Sequence, residues 1–191
     1  MKLTASFLKD KFEQALPYPQ YVLTGTAEQQ RRWAHVLDAA SLTETQSRLV
    51  GSFQRDMHLL VSSGIWCGDC VQQVPLLYRI AEANPARIRL RILDRDQHRD
   101  LAELVRINGG DRVPVVLLLA EDFELCSIFG DRVLQRYRAL ASRQLGAACE
   151  TGIAAPVADE LHATLQGWLD EIERVQLMLR LSSRLRMLHN D

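Results

Sequence analysis

Apolar positions open the chain at helical spacing. Leu3, Phe7, Leu8 and Phe12, with Lys9, Asp10 and Lys11 between the last two, predict a helix. Pro17 and Pro19 stop it, because proline lacks the amide and disfavours helix in the residue before it. Thr26, with Gln29 three residues on, predicts a capping box opening a second helix whose apolar face is Trp33, Val36, Leu37 and Ala40. A further apolar stretch of roughly helical pattern runs through Leu42, Leu49 and Val50. These helices read as packing elements rather than binding elements.

The period changes at Met57. Met57 to Val61 is a short apolar run, the pattern of a buried strand, and Ser62-Ser63-Gly64 interrupts it. A helical pattern follows from Val71 through Val74, Leu77, Tyr78 and Ala81, with Pro75 inside it to kink it and Asn84-Pro85 to end it. Arg87 to Leu93 alternates strictly, as a strand with one polar face does. Asp94 is expected to open the next helix, with Leu101, Leu104 and Val105 inward and Asn108-Gly109-Gly110 at its end. Pro114 to Leu119 and Leu125 to Phe129 read as a hairpin across the acidic turn Glu121-Asp122. A helix through Val133, Leu134, Tyr137 and Leu140, a small-residue loop from Gly146 to Pro156, and a long helix through Leu161, Leu165, Trp168, Ile172, Val175 and Leu179 complete the chain. Leu181, Leu185, Met187 and Leu188 extend that last helix, with arginines interleaved.

Composition narrows the function classes. The chain has 191 residues, 23 Lys and Arg against 24 Asp and Glu, and four cysteines. That balance argues against a nucleic-acid surface, which needs clustered basic excess. Four cysteines are too few for a disulfide scaffold. No signal peptide is expected in the first residues and no apolar run of about 18 residues occurs, so a cytoplasmic protein without membrane contact is expected.

The order strand, C-x-x-C, helix, strand, helix, hairpin, helix carries the chemistry. A C-x-x-C pair entering a helix beside a βαβ pattern reads as a redox motif. Cys67 falls at the helix N-terminus, where free amides and the macrodipole favour its thiolate. Cys70 lies one turn beneath it, within disulfide reach. Two bland readings stand beside this one, a structural pair and half of a metal site shared by two chains. A four-ligand zinc site needs two more ligands, and Cys126 in the hairpin and Cys149 in the loop form no second C-x-x-C. No metal and no cofactor are expected. Asp69 adjoins Cys67 as a like charge and is expected to raise its pKa and to carry the proton that Cys70 loses.

Trp66-Cys67-Gly68-Asp69-Cys70, followed by Val74-Pro75, resembles the active-site segment of the thioredoxin superfamily. Arg112-Val113-Pro114 resembles that family's cis-proline segment, and Gly130 the glycine ending its last strand. The pentapeptide, Ala83-Asn84-Pro85, Ile92-Leu93 and Asn108-Gly109-Gly110 are similar to a bacterial thioredoxin-like branch. The resemblance spans about residues 55–145. It implies an α/β three-layer sandwich around a mixed sheet of about four strands, with Arg87 to Leu93 at an edge that its arginines guard. The expected organisation is a helical extension over 1–54, a thioredoxin-like domain over 55–145, and a loop and helix over 146–191 packed on it.

The resemblance further implies a thiol–disulfide oxidoreductase acting on protein disulfides, fed by an electron donor the sequence does not identify. Cys67 is then the nucleophile and Cys70 the resolving thiol, while Trp66, Gly68, Val113 and Pro114 meet the substrate. The expected reduction potential is roughly −230 to −280 mV. Two departures stand out. Asp69 replaces the usual proline, and Val61 occupies the position of the family's buried aspartate. The second departure supports a rival reading, a binding or chaperone-like module with little turnover. The basic amphipathic C-terminal helix is expected to dock on its own core or to form a homodimer contact.

Overall fold

The computed structural model describes residues 2–145 and 159–191. The elements are α1 (Ala5–Gln14), α2 (Tyr18–Leu23), α3 (Ala27–Ala39), α4 (Glu44–Gly51), β1 (Met57–Ser63), α5 (Gly68–Glu82), β2 (Ile88–Asp94), α6 (Arg99–Leu104), β3 (Val115–Ala120), β4 (Leu125–Gly130), α7 (Leu134–Leu145), α8 (Glu160–Leu181) and α9 (Ser183–His189). The four strands form one mixed sheet in the order β2-β1-β3-β4, with β1 and β2 parallel and the other pairs antiparallel. This is a thioredoxin-like α/β fold.

Strand alternation builds the three layers. Met57, Leu59 and Val61 of β1 and Val116, Leu118 and Ala120 of β3 face one core, shared with α2–α5 and α8. Leu60 of β1 and Val115, Leu117 and Leu119 of β3 face the other, closed by Leu8 and Phe12 of α1 and by Leu101 and Val105 at α6. Both central strands are buried along their whole length, which is why they read as apolar runs.

Several elements depart from expectation. Pro17 and Pro19 start a helix as well as stopping one. Pro17 is the N-cap of α2 and Pro19 sits in its first turn, where a missing amide leaves no bond unmade. The strand at Ile88–Asp94 is an edge, but its arginines do not guard it alone. Leu16 and Ile92 exchange backbone hydrogen bonds of 2.9 and 2.8 Å, so the α1–α2 connection covers that edge. Asp94 opens a turn rather than a helix. Its carboxylate accepts from the amides of Asp96 and Gln97, and α6 begins five residues later. Asn108-Gly109-Gly110 lies beyond the end of α6, in a tight turn closed by Ile107 and Gly110, with Asn108 and Gly109 at positive φ.

The C-terminal helix breaks at Ser182, whose hydroxyl caps α9 by accepting from the Leu185 amide. Leu185 is then fully buried in the main core, while Leu181, Met187 and Leu188 stay exposed. The expected loop from Gly146 to Pro156, with Cys149, lies outside the described residues. Among the described residues, no helix is long and apolar enough to cross a membrane.

Candidate active site

Three segments converge at the C-terminal end of β1: the start of α5, the Val113-Pro114 turn and the end of β4. Cys67 is the N-cap residue of α5, in extended conformation, and its side chain does not cap the helix. The sulfur is therefore left half-exposed at the mouth, facing the free amides of Asp69 and Cys70. The thiol donates to the carbonyl oxygen of Val113 at 3.6 Å. Cys70 is fully buried beneath it, and the Gly64 amide donates to its sulfur at 3.5 Å. Both cysteines are free thiols in this structure.

The two sulfurs differ in acidity. The Cys70 thiol beside it is the largest influence holding Cys67 down to about 6; partial burial opposes this, and the helix-end amides reinforce it. Asp69 pushes the other way, as a like charge. Burial drives Cys70 well above the ordinary thiol range, and the neighbouring Cys67 adds to that. Cys67 is thus the more acidic sulfur of the pair, and Cys70 holds its proton the more firmly.

The Val113–Pro114 peptide bond is cis. Both side chains are buried, so the Val113 backbone is what meets the Cys67 sulfur. Gly130 supports this turn from behind. A Cβ there would lie 2.4 Å from the Pro114 carbonyl oxygen, and its φ of +152° also requires glycine. Gly68 is exposed with open space around it. Trp66 is 47% exposed, and the Arg95 guanidinium sits 4.9 Å above its ring.

Asp69 turns towards α7. Its carboxylate pairs with Arg132 at 2.5 Å and with Arg136 at 3.0 Å, and Arg136 pairs onward with Glu160 of α8 at 2.6 Å. Arg132 also holds the buried Asp131, which accepts from Tyr137 and Arg112 as well. The buried Gln73 of α5 ties the same segment down, donating to the Asp131 carbonyl at 2.9 Å and accepting from the Val133 amide. Sequence reading finds none of these partners, because they lie about 60 residues downstream of the motif. It also misses Tyr21 and Ser63, whose buried hydroxyls neighbour Cys70. The interruption Ser62-Ser63-Gly64 was the available signal. Cys126 of the hairpin is half-buried on β4, and burial raises its pKa.

The chain is similar to a protein of unknown function from Pseudomonas aeruginosa, at 25% identity and a TM-score of 0.65, over 86% of this chain and 96% of that one. It is also similar to an HIV epitope-scaffold, at 22% identity and a TM-score of 0.63, over 92% of this chain and 98% of that one. No curated protein matches it. The family model described as thioredoxin matches residues 15–141, about two thirds of the chain, taking in the cysteine pair, the cis-proline turn and the covering helices α2–α4. The chain belongs to the thioredoxin family.

Proposed function

We propose that this protein is a thiol–disulfide oxidoreductase that reduces disulfides of other proteins in the cytoplasm, as a member of the bacterial branch with a Trp-Cys-Gly-Asp-Cys site. One observation carries the reading: a half-exposed Cys67 at the N-terminus of α5, its acidity raised, with a fully buried Cys70 one helical turn on. Cys67 thiolate attacks one sulfur of the substrate disulfide and releases the other as a thiol. Cys70 then attacks the Cys67 sulfur, the internal disulfide forms, and the second substrate sulfur leaves. The substrate gains two electrons and the pair loses two, which an external dithiol donor returns. The Val113 backbone offers an extended substrate segment a strand to pair with, flanked by the exposed Trp66 and Gly68.

Asp69 fits the role of a positioning and tuning group better than that of proton carrier, because two guanidiniums already hold its carboxylate. Tyr18, Tyr21, Trp33 and Val50 of the N-terminal helices lie in the main core, so 1–54 belongs with the domain it covers.

The test is insulin reduction driven by dithiothreitol, compared with Cys67→Ser, together with trapping. Cys70→Ser accumulates mixed disulfides with substrate proteins and Cys67→Ser does not. A second reading, a binding module, is favoured by the buried, apolar Val61, since no acid stands there to take the Cys70 proton. Insulin turnover no faster than that of Cys67→Ser would establish it instead.

A further inference from the structure

Resolution requires Cys70 to lose its proton from a site with no water contact. Two hydroxyls stand where that proton must go. Ser63, at the end of β1, is fully buried, and Tyr21 of α2 is 1% exposed. Neither hydroxyl has a well-formed hydrogen bond. Unsatisfied buried hydroxyls are costly, so two side by side need a reason.

Their neighbours supply it. The Gly64 amide donates to the Cys70 sulfur at 3.5 Å, which sets the preceding residue, Ser63, beside the thiol, and the Ser63 hydroxyl neighbours the Tyr21 phenol. Ser63 pairs with Asp94 in the β1–β2 register, and the Asp94 charge is felt at the Tyr21 phenol. Tyr21, Asp94 and His98 line a cavity of about 180 Å³ whose further lining includes the exposed Gln14, Thr24 and Gln97. That volume has room for several water molecules, and its exposed lining residues open it to the surface. The titratable groups around the hydroxyls are Cys67 and Cys70 from α5, Asp94 from the end of β2, and His98 before α6.

We propose that Ser63 and Tyr21 form a hydroxyl relay that carries the Cys70 proton to the Asp94-lined cavity while the mixed disulfide is resolved. The inference rests on the redox reading of the cysteine pair. As the Cys70–Cys67 bond forms and the bond from Cys67 to the substrate sulfur breaks, the Cys70 proton passes to the Ser63 oxygen. The Ser63 proton passes to the Tyr21 oxygen, and the Tyr21 proton to solvent water in the cavity that Tyr21 and Asp94 line. The substrate sulfur leaves with the electron pair of the broken bond. Each hydroxyl gives one proton and takes one, so neither ionises. Burial holds the Tyr21 phenol far above its ordinary range, which suits a relay and rules it out as an ionised base.

Stopped-flow reaction of the reduced protein with one equivalent of dithionitrobenzoate separates the two steps. The first nitrothiobenzoate released reports attack by Cys67, and the second reports resolution by Cys70. Tyr21→Phe and Ser63→Ala should keep the first phase within about twofold and slow the second about tenfold at neutral pH. The gap should close as pH rises and hydroxide deprotonates Cys70 directly. Ser63→Thr, which keeps the hydroxyl, should restore the second phase. Should Tyr21→Phe fail to fold, the Ser63→Ala and Ser63→Thr pair decides the matter. A second phase unchanged in the variants, or one slowed in step with the first at every pH, overturns the relay. Wild-type protein that completes both phases here, yet reduces insulin no faster than Cys67→Ser, would overturn the proposed substrate class and leave the relay standing.

Discussion

Gly130 lies against Pro114 so closely that a Cβ on the glycine would sit 2.4 Å from the proline carbonyl oxygen and 3.1 Å from the Val115 Cα. Both obstacles are backbone, so no side chain can swing aside to relieve the clash. This contact at the β3–β4 pair lies one residue from Val113, whose carbonyl accepts from the Cys67 thiol at 3.6 Å.

Gly130→Ala should therefore damage both stability and site. The positive φ and the backbone clash together predict a loss of about 2–4 kcal/mol in urea unfolding. The β3–β4 register must open or the Val113-Pro114 turn must shift towards the cysteines. Alkylation of Cys67 in the folded variant should then change rate. A variant as stable as the parent with unaltered alkylation would show that the turn is positioned by other contacts.

The acidity of Cys67 gives the reduced protein a specific pH signature. Its thiol is held at about 6 in the fold against an ordinary 9.0. Between those values the unfolded chain carries a proton that the native chain has shed, so stability rises with pH from 6 to 9. It is fully present above 9 and is lost as pH falls through 6. Cys70 acts oppositely: raised above 9.0, it removes stability only at more alkaline pH. The maximum should lie near pH 9, with a rise of about 1–2 kcal/mol across the window, reduced because Cys67 is half-exposed. Iodoacetamide alkylation should show half-maximal rate near pH 6. The oxidised protein, with no thiol to titrate, should lack the dependence. The stabilised thiolate also favours the dithiol, placing the reduction potential at the less negative end, about −230 mV.

Much of this site was legible from local pattern. The capping boxes at Thr26 and Thr43 both form, the first foreseen from Gln29 and the second not singled out. The buried strands were visible as apolar runs, and cysteine spacing with a following helix located the reactive pair. What stayed hidden is set by contacts distant in sequence. The Asp69 partners Arg132 and Arg136 belong to α7 and the turn before it. Tyr21 precedes the motif by 46 residues and joins the core around Cys70 only because α2 packs against β2 and α3. Other misses were local. At Pro17 and Pro19 the same ring that ends one helix suits the first turn of the next. At Asp94 a side chain that can cap a helix bonded a turn instead.

Leu185 anchors α9 through one fully buried side chain, while Arg55 and Arg180 both pair with Asp191 just beyond the helix. Leu185→Ala should cost about 2–3 kcal/mol if the helix stays docked. Detachment of α9 alone is the less costly response, because most of its other side chains are exposed. Hydrogen exchange should therefore speed up in α9 and the end of α8, with Cys67 alkylation unchanged. Global loss of protection would instead make α9 part of the cooperative core.

Asp69 links the mouth of the site to α7, and Asp69→Asn separates its two effects. The carboxylate lies in the first turn of α5 and raises the Cys67 pKa as a neighbouring like charge. Removing that charge also leaves Arg132 and Arg136 with less to neutralise them. Both changes favour the thiolate, so the alkylation midpoint should move below about 6. The lost ion pairs are partly buried, with side-chain exposures of 12–21%, so stability should fall by about 1–2 kcal/mol. High salt should shrink that difference, since the rims of both pairs reach solvent. The resolution step distinguishes tuning from proton transfer. If Asp69 only tunes and positions, release of the second nitrothiobenzoate should keep the pH profile of the parent, with Ser63 and Tyr21 still in place. A resolution step slowed tenfold in Asp69→Asn, with its pH dependence altered, would return the carboxylate to the proton path despite its two guanidinium partners.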